Sequence, residues 1–351
     1  MVTLSTAPYT LAVNCAVSDL NDPVQPDKPT GAGALTASRN TIGLLQHFQS
    51  VTSVTLGDSP VQQVMNTHVA QSAWENPYLM HMLLAVSSAH LKWLRSATKR
   101  LQESRLYAIA EAEHGQTGLS LYQAALVAAG SGSEQNMDAL ISTTFLSVIF
   151  AFRLEDQVSS NAFSTDYDTA VAHALGPLAA GSGIIALGEA FRVLDCVAWM
   201  PVIRRGDDRF GSYTNQAPGI EGLPSALVDL CDLDEQSTSE NSEYYSVVRA
   251  LAPLLRLGPS IDHFSKLIAF GDRKFSLLRP LLRRRDAKAL LLLSYWLGLL
   301  RRLDQWWLNV RTSSLCLAVV EYLLTIPHPK IHALLSYPAS CGQGDLGYLW
   351  Y

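Results

Sequence analysis

Nine histidines are the residues of this sequence that most readily bind a metal or move a proton, so their spacing decides which chemistry is open. A zinc protease needs two histidines one helical turn apart with a glutamate beside the first, and no His-Glu-x-x-His occurs. His81 and His90 fall on one predicted helix, but they are nine residues and therefore more than two turns apart. We interpret them as packed or surface histidines, not as metal ligands.

Two glycine motifs match a dinucleotide-binding pattern in letters but not in context. Such a loop must follow a strand and open a helix, because the helix N-terminus holds the pyrophosphate. Gly342–Gly347 ends four residues before the last residue, which leaves no room for that helix. Gly181–Ala186 precedes a predicted helix but follows another helix. The sequence has neither a nucleophile elbow, Gly-x-Ser-x-Gly, nor a P-loop.

One hypothesis is an all-α enzyme that acts on a small apolar metabolite, such as a cyclase. That chemistry binds a magnesium diphosphate through aspartates on a helix. Asp207 and Asp208 begin such a pattern, but no later carboxylate completes it and they fall in a predicted loop. We therefore predict no catalytic, cofactor-binding or metal-binding residue, no cofactor and no enzyme activity.

One stretch, 271–311, is strongly basic although the whole chain carries a net charge of −5. Its ten bases are Arg273, Lys274, Arg279, Arg283, Arg284, Arg285, Lys288, Arg301, Arg302 and Arg311. Nucleic-acid binding would need them on one exposed face with aromatic residues. The aromatic residues here, Tyr295, Trp296, Trp306 and Trp307, lie in leucine-rich helix and are interpreted as core. The acidic segment 229–243 is an alternative partner for this charge.

Helices must position these groups, because three- and four-residue apolar spacing runs through the chain from about residue 38. Asp58-Ser59-Pro60 and Asn76-Pro77 predict helix starts, and we predict further helices at 104–129 (with a break at Gly115 and Gly118), 139–154, 285–307 and 312–325. The predicted fold is all-α: a single large multi-helix domain at 38–327, or two helical halves that meet near 201–240. Residues 1–37 are predicted to be a disordered leader, and 328–351 an irregular tail.

Composition supports a chain with an extensive core. Hydrophobic residues make up 48% and charged residues 16%, against about 25% in globular proteins. The apolar runs at 139–152 and 289–300 are shorter than the ~20 residues that span a bilayer, and no signal peptide is recognised. We expect a soluble, intracellular protein without a membrane span. Five scattered cysteines support neither a disulfide framework nor a zinc module.

Two segments resemble the regulatory domain of fungal zinc-binuclear-cluster (Zn2Cys6) transcription factors, notably the sterol-uptake-regulator type. The first runs from Gly43-Leu44-Leu45-Gln46-His47-Phe48 through Asp58 to 74–91, where Pro77 precedes the run His81-Met82-Leu83-Leu84-Ala85. The second is Tyr295-Trp296-Leu297 with Arg302–Trp307. Together they extend the resemblance over roughly residues 40–325.

The resemblance implies an all-α, nuclear regulator of transcription, typical of secondary-metabolite gene clusters, that holds an apolar, sterol-like ligand. The helices at 78–93, 139–152 and 285–307 would line its pocket. Family members carry a six-cysteine zinc cluster, but only Cys15 precedes Gly43. We therefore expect a regulator or co-regulator that lacks the zinc cluster, does not bind DNA alone, and acts through a DNA-binding protein partner or an apolar ligand.

Overall fold

Helices account for the architecture of this protein. The computed structural model describes residues 41–97, 100–130, 136–153, 161–172, 174, 198–200, 202 and 217–342. These residues contain no strand, which confirms the all-α prediction. The predicted leader 1–37, Cys15, the motif Gly181–Ala186, Cys196, Asp207–Asp208 and residues 343–351 lie outside the described residues.

The chain divides into two compact units. Unit 1 comprises residues 1–154 and 179–201, and unit 2 comprises 155–178 and 202–351. These units are the counterpart of the two helical halves that the sequence left open as an alternative. Their boundary is not one crossing near 201–240, because the chain also passes between the units near residues 154 and 179.

Unit 1 begins with helix α1 at 41–47, followed by a π-helical turn Phe48–Thr52 and a 3-10 turn Ser53–Thr55. Helix α2 (Ser59–Val64) starts as predicted: the carboxylate of Asp58 accepts from the N–H of Val61, and Pro60 lies in the first turn. A π-helical turn, Met65–Val69, leads into Ala70–Ser72. The long helices are α3 (Pro77–Ala97), α4 (Leu101–Gly130) and α5 (Met137–Arg153).

Helices α3 and α4 form an antiparallel hairpin that packs against α5. The predicted break in α4 is wrong, because the helix runs unbroken through Gly115 and Gly118. These glycines serve close packing instead. A Cβ on Gly118 would lie 2.8 Å from the sulfur of Met82 on α3, and Gly115 lies against the ring of Phe150 on α5.

Residues 198 and 199 return to unit 1 and bind to the start of α5. The carboxylate of Asp138 accepts from the backbone N–H groups of Ala198 and Trp199, each at 3.2 Å. The indole Nε1–H of Trp199 donates to the hydroxyl of Ser142 at 2.8 Å. These bonds close a loop of about sixty residues onto one helix end.

Unit 2 contains the remaining helices. They are α6 (Ala162–Thr165), α7 (Ser225–Leu230), α8 (Tyr245–Leu255), α9 (Phe264–Arg283), α10 (Ala287–Arg301), α11 (Asn309–Leu324), α12 (Pro329–Ala333) and α13 (Ser336–Gly342). Residues 167–172 are also helical. Pro253 and Pro280 lie inside α8 and α9, each near the helix end.

Helix α10 is the centre of unit 2, and every residue from Ala289 to Leu300 is buried. It packs against α8, α9, α11 and α13. Trp296 is fully buried, and its Nε1–H donates to the carbonyl of Leu267 at 2.7 Å. Trp306 and Trp307 are buried as well. The interpretation of these aromatic residues as core is confirmed.

The predicted irregular tail is wrong for residues 329–342, which form α12 and α13. His328 caps α12 by accepting from the N–H of Ile331, and Pro329 favours a helix start. Tyr337 of α13 packs its ring 5.2 Å from that of Tyr295 on α10. Apolar contact with α10 thus orders a segment whose own helix signal is weak.

No helix among the described residues is long and apolar enough to cross a lipid bilayer.

Candidate functional site

The helices expected to line one pocket belong to different units. Segments 78–93 and 139–152 lie in α3 and α5 of unit 1, whereas 285–307 lies in unit 2. Three other groups of polar side chains stand out: two histidine pairs in unit 1 and a charge cluster in unit 2.

The first grouping in unit 1 is a histidine pair that joins α1 to α3. The rings of His47 and His90 lie 5.2 Å apart, and Nδ1 of His90 shares a 3.0 Å hydrogen bond with the hydroxyl of Thr52. Trp93, one turn further along α3, stacks on His90 at 5.8 Å. His90 is 2% exposed, so this bond is made inside the protein.

A second pair joins α3 to α4. His81 and His114 face each other with their Nδ1 atoms 3.1 Å apart. One nitrogen must carry the hydrogen and the other must accept it, so at least the accepting ring is neutral. Beside the pair along the hairpin, Lys92 and Glu111 form an ion pair at 3.2 Å with little solvent exposure.

Burial keeps these histidines neutral. Burial, with a smaller contribution from the positive charge of a protonated His47, lowers the pKa of His90 to about 4. Burial likewise lowers the pKa of His114 to about 4, with His81 contributing in the same direction. At neutral pH both pairs act as uncharged hydrogen-bonding contacts between helices.

Neither pair forms a metal centre. A zinc site takes three or four protein ligands, and the described residues contain no group of three or more histidine, cysteine, aspartate or glutamate side chains that could hold a metal. His81 and His90, which the sequence places two turns apart, bind different partners. Sequence reasoning missed the pairs because 43 and 33 residues separate their members.

The grouping in unit 2 is a charge cluster at the start of α10, formed by Arg284, Arg285 and Lys288 with three carboxylates. Arg284 pairs with Glu243 at 2.7 Å, and Lys288 pairs with Asp232 at 2.6 Å. The third base, Arg285, lies 3.8 Å from Asp168. Hydrogen bonding and charge from Lys288 lower the pKa of Asp232, so the pair is ionised at neutral pH.

Arg285 takes an unusual backbone conformation within this cluster. Its φ is +59°, in the left-handed region that disfavours residues other than glycine. This conformation ends α9 and places the guanidinium 5.1 Å from the centre of the Tyr167 ring. The next residue, Asp286, caps α10 by accepting from the N–H of Ala289 at 2.8 Å.

Asp286 also binds Tyr244, the residue that directly follows the acidic segment. The hydroxyl of Tyr244 donates to the other carboxylate oxygen of Asp286 at 2.6 Å. The Lys288 ammonium lies 5.6 Å above the Tyr244 ring. Burial and the Asp286 carboxylate together raise the pKa of Tyr244, so the phenol stays protonated and keeps donating.

The acidic segment is therefore the partner of two of the ten bases, Arg284 and Lys288, which confirms the alternative interpretation for this part of the basic stretch. It is an ordered part of unit 2: Lys330 of α12 also binds it, through the carboxylate of Asp229 at 3.0 Å, and Leu227, Leu230 and Leu233 are buried. Bases that are already paired with carboxylates contribute little to neutralising phosphates.

Comparison with known proteins found one similarity, to a family model. Residues 43–166 match the fungal specific transcription factor domain, which covers about a third of the sequence. The match contains α1 to α5 and so confirms the resemblance read from 43–48 and 74–91. The second segment, 295–307, lies outside it. No curated protein and no solved structure matches the chain.

Proposed function

We propose that this protein is a transcriptional regulator or co-regulator whose regulatory domain spans residues 38–327. The observation that carries the proposal is the match of residues 43–166 to a fungal specific transcription factor domain. That segment supplies the α3–α4 hairpin and α5, a closely packed helical frame. A regulator works through such a frame by binding a partner, and the protein acts in the nucleus.

DNA is reached through a DNA-binding protein partner. The net charge of −5 offers no excess of positive charge for phosphates, and Arg284, Arg285 and Lys288 face carboxylates of their own unit. The five cysteines of the sequence are too far apart for a six-cysteine zinc cluster. Affinity for DNA therefore comes from the partner.

The genes controlled are those of a secondary-metabolite cluster, and the activity responds to an apolar ligand. Both statements rest on the resemblance. The described cores are lined by aliphatic and aromatic side chains, as on α5 and α10, so any ligand they admit has to be apolar.

Chromatin immunoprecipitation followed by gel-shift assays tests the proposal. We expect the tagged protein to occupy promoters in the fungal nucleus, and the purified protein to show no specific binding to those same DNA fragments at physiological salt. Absence from all promoters would refute a regulatory role. Specific binding by the purified protein at 10⁻⁸ M or tighter, the usual range of about 10⁻⁸–10⁻¹¹ M for DNA-binding regulators, would refute the need for a partner.

A pair of glycine variants tests whether promoter occupancy depends on the packing of unit 1. Gly115→Leu places a large side chain against Phe150 and should abolish promoter occupancy by disrupting unit 1. Gly43→Ala adds a methyl group in open space and should leave occupancy unchanged. Equal occupancy by both variants would show that unit 1 has no part in recruitment.

A further inference from the structure

Helix α4 presents large apolar side chains to solvent along its N-terminal half. Leu101, Leu106 and Ile109 are 66%, 68% and 56% exposed. The opposite face is buried against α3 and α5 through Glu111, Gly115 and Gly118. An isolated exposed leucine is ordinary in a soluble protein, but three within nine residues of one helix form a patch.

Two charges flank Ile109 symmetrically along the helix. Arg105 lies four residues before Ile109 and Glu113 lies four residues after it, so all three share one helix face. Both charged side chains are exposed. Neither forms an ion pair with another residue of the described chain, whereas Lys92, Arg95 and their carboxylate partners all do.

This arrangement is self-complementary. When two copies of a helix pack antiparallel around a two-fold axis at one residue, positions four before and four after that residue meet across the interface. With the axis at Ile109, Arg105 of each copy faces Glu113 of the other and the two Ile109 side chains meet. Gln102 likewise faces Gln116, since they lie seven residues to either side.

We propose that this face of α4 is a self-association surface, on which a second copy of the chain packs antiparallel with its two-fold axis at Ile109. The contact from 101 to 117 is about 25 Å long at 1.5 Å per residue. That length corresponds to an interface at the small end of specific contacts. We therefore expect a dimer that dissociates on dilution.

Sedimentation velocity of the full chain over a concentration series tests this. The wild type should shift from monomer to dimer with increasing concentration. Arg105→Glu and Glu113→Arg each replace two attractive pairs by two repulsive ones and should weaken dimerisation about tenfold or more. The double variant Arg105→Glu/Glu113→Arg restores opposite charges across the axis and should recover the wild-type dissociation constant.

Two further variants locate the axis. Ile109→Glu puts like charges against each other at the two-fold and should leave only monomer. Val127→Glu changes a residue of the same helix that is 66% exposed and eighteen positions away, and should dimerise as the wild type does.

Circular dichroism spectra should be the same for all variants, because every changed side chain is exposed. A wild type that stays monomeric across the series would overturn the proposal. So would a double variant as weak as the single ones, since the recovery depends on Arg105 meeting Glu113. Neither result bears on whether the protein regulates transcription.

Discussion

Gly115 on α4 lies against the ring of Phe150 on α5, so closely that a Cβ built on the glycine would be 2.7 Å from Cε2 of the ring. Phe150 is itself buried, at 4% exposure. Glycine weakens a helix relative to alanine, yet here its missing side chain is what allows the two helices to approach.

The first prediction is that Gly115→Ala lowers the free energy of unfolding by about 1–3 kcal/mol, because overpacking outweighs the gain in helix propensity. Urea unfolding followed by circular dichroism measures it. Adding Phe150→Leu should recover part of the loss. Gly43→Ala, also in a helix but with open space around it, should be neutral or stabilising by up to about 1 kcal/mol. A stabilising Gly115→Ala would contradict the packing described.

The second prediction concerns acid. The pKa of His90 and of His114 is about 4 in the folded protein, against about 6.5 when unfolded. The unfolded chain therefore binds more protons between these values, so stability is complete above pH 6.5 and falls as pH is lowered toward 4. Each histidine contributes a slope of up to about 1.4 kcal/mol per pH unit. His114→Gln should flatten the pH dependence measured by urea unfolding, and an unchanged slope would refute the assignment.

The third prediction concerns Asp286, which caps α10 and accepts from the Tyr244 hydroxyl. Asp286→Ala removes both bonds and should lower the free energy of unfolding by about 2 kcal/mol, half from the cap and half from the tyrosine. Tyr244→Phe should lose only the second half. Glu321→Ala, on the exposed side of α11, should stay within about 0.5 kcal/mol of the wild type in the same assay. Equal losses for Asp286→Ala and Tyr244→Phe would show that the cap contributes nothing.

The fourth prediction isolates the backbone of Arg285. Both Arg285→Gly and Arg285→Ala lose the contacts with Tyr167 and Asp168, but only glycine accepts a φ of +59° without strain. The glycine variant should therefore be more stable than the alanine variant by about 1 kcal/mol in thermal or urea unfolding. At Arg283, the last residue of α9, the order should reverse. Alanine more stable at both positions would rule out the left-handed conformation.

Local signals in the sequence placed most helix starts correctly. Asp58 with Pro60 and the proline at 77 fix the starts of α2 and α3, because a capping side chain and a fixed φ act within one turn. The uniformly apolar run at 289–300 identified the most buried helix. The ends of this helix were predicted less well: the sequence predicted 285–307, whereas α10 spans Ala287–Arg301.

Contacts between side chains of different helices could not be predicted from local sequence signals. The pairing of His81 with His114 depends on the register of the α3–α4 hairpin, which Gly118 against Met82 helps to set. A glycine in a helical pattern gives the same local signal whether it breaks the helix or allows close approach. The pairing of the acidic segment with bases of the basic stretch could be predicted, because the opposite net charges of the two segments are visible in composition alone.

The bonds from Ala198 and Trp199 to Asp138 show which residues a fragment of this protein must include to keep unit 1 complete. The recognised family segment ends at residue 166, but unit 1 is completed by residues that follow a passage of the chain through unit 2. A gene fragment cut at the family boundary would encode Asp138 and Ser142 without the backbone and indole that occupy them. Such a fragment would lack the hydrogen bonds that Ala198 and Trp199 make at the start of α5 in the intact chain.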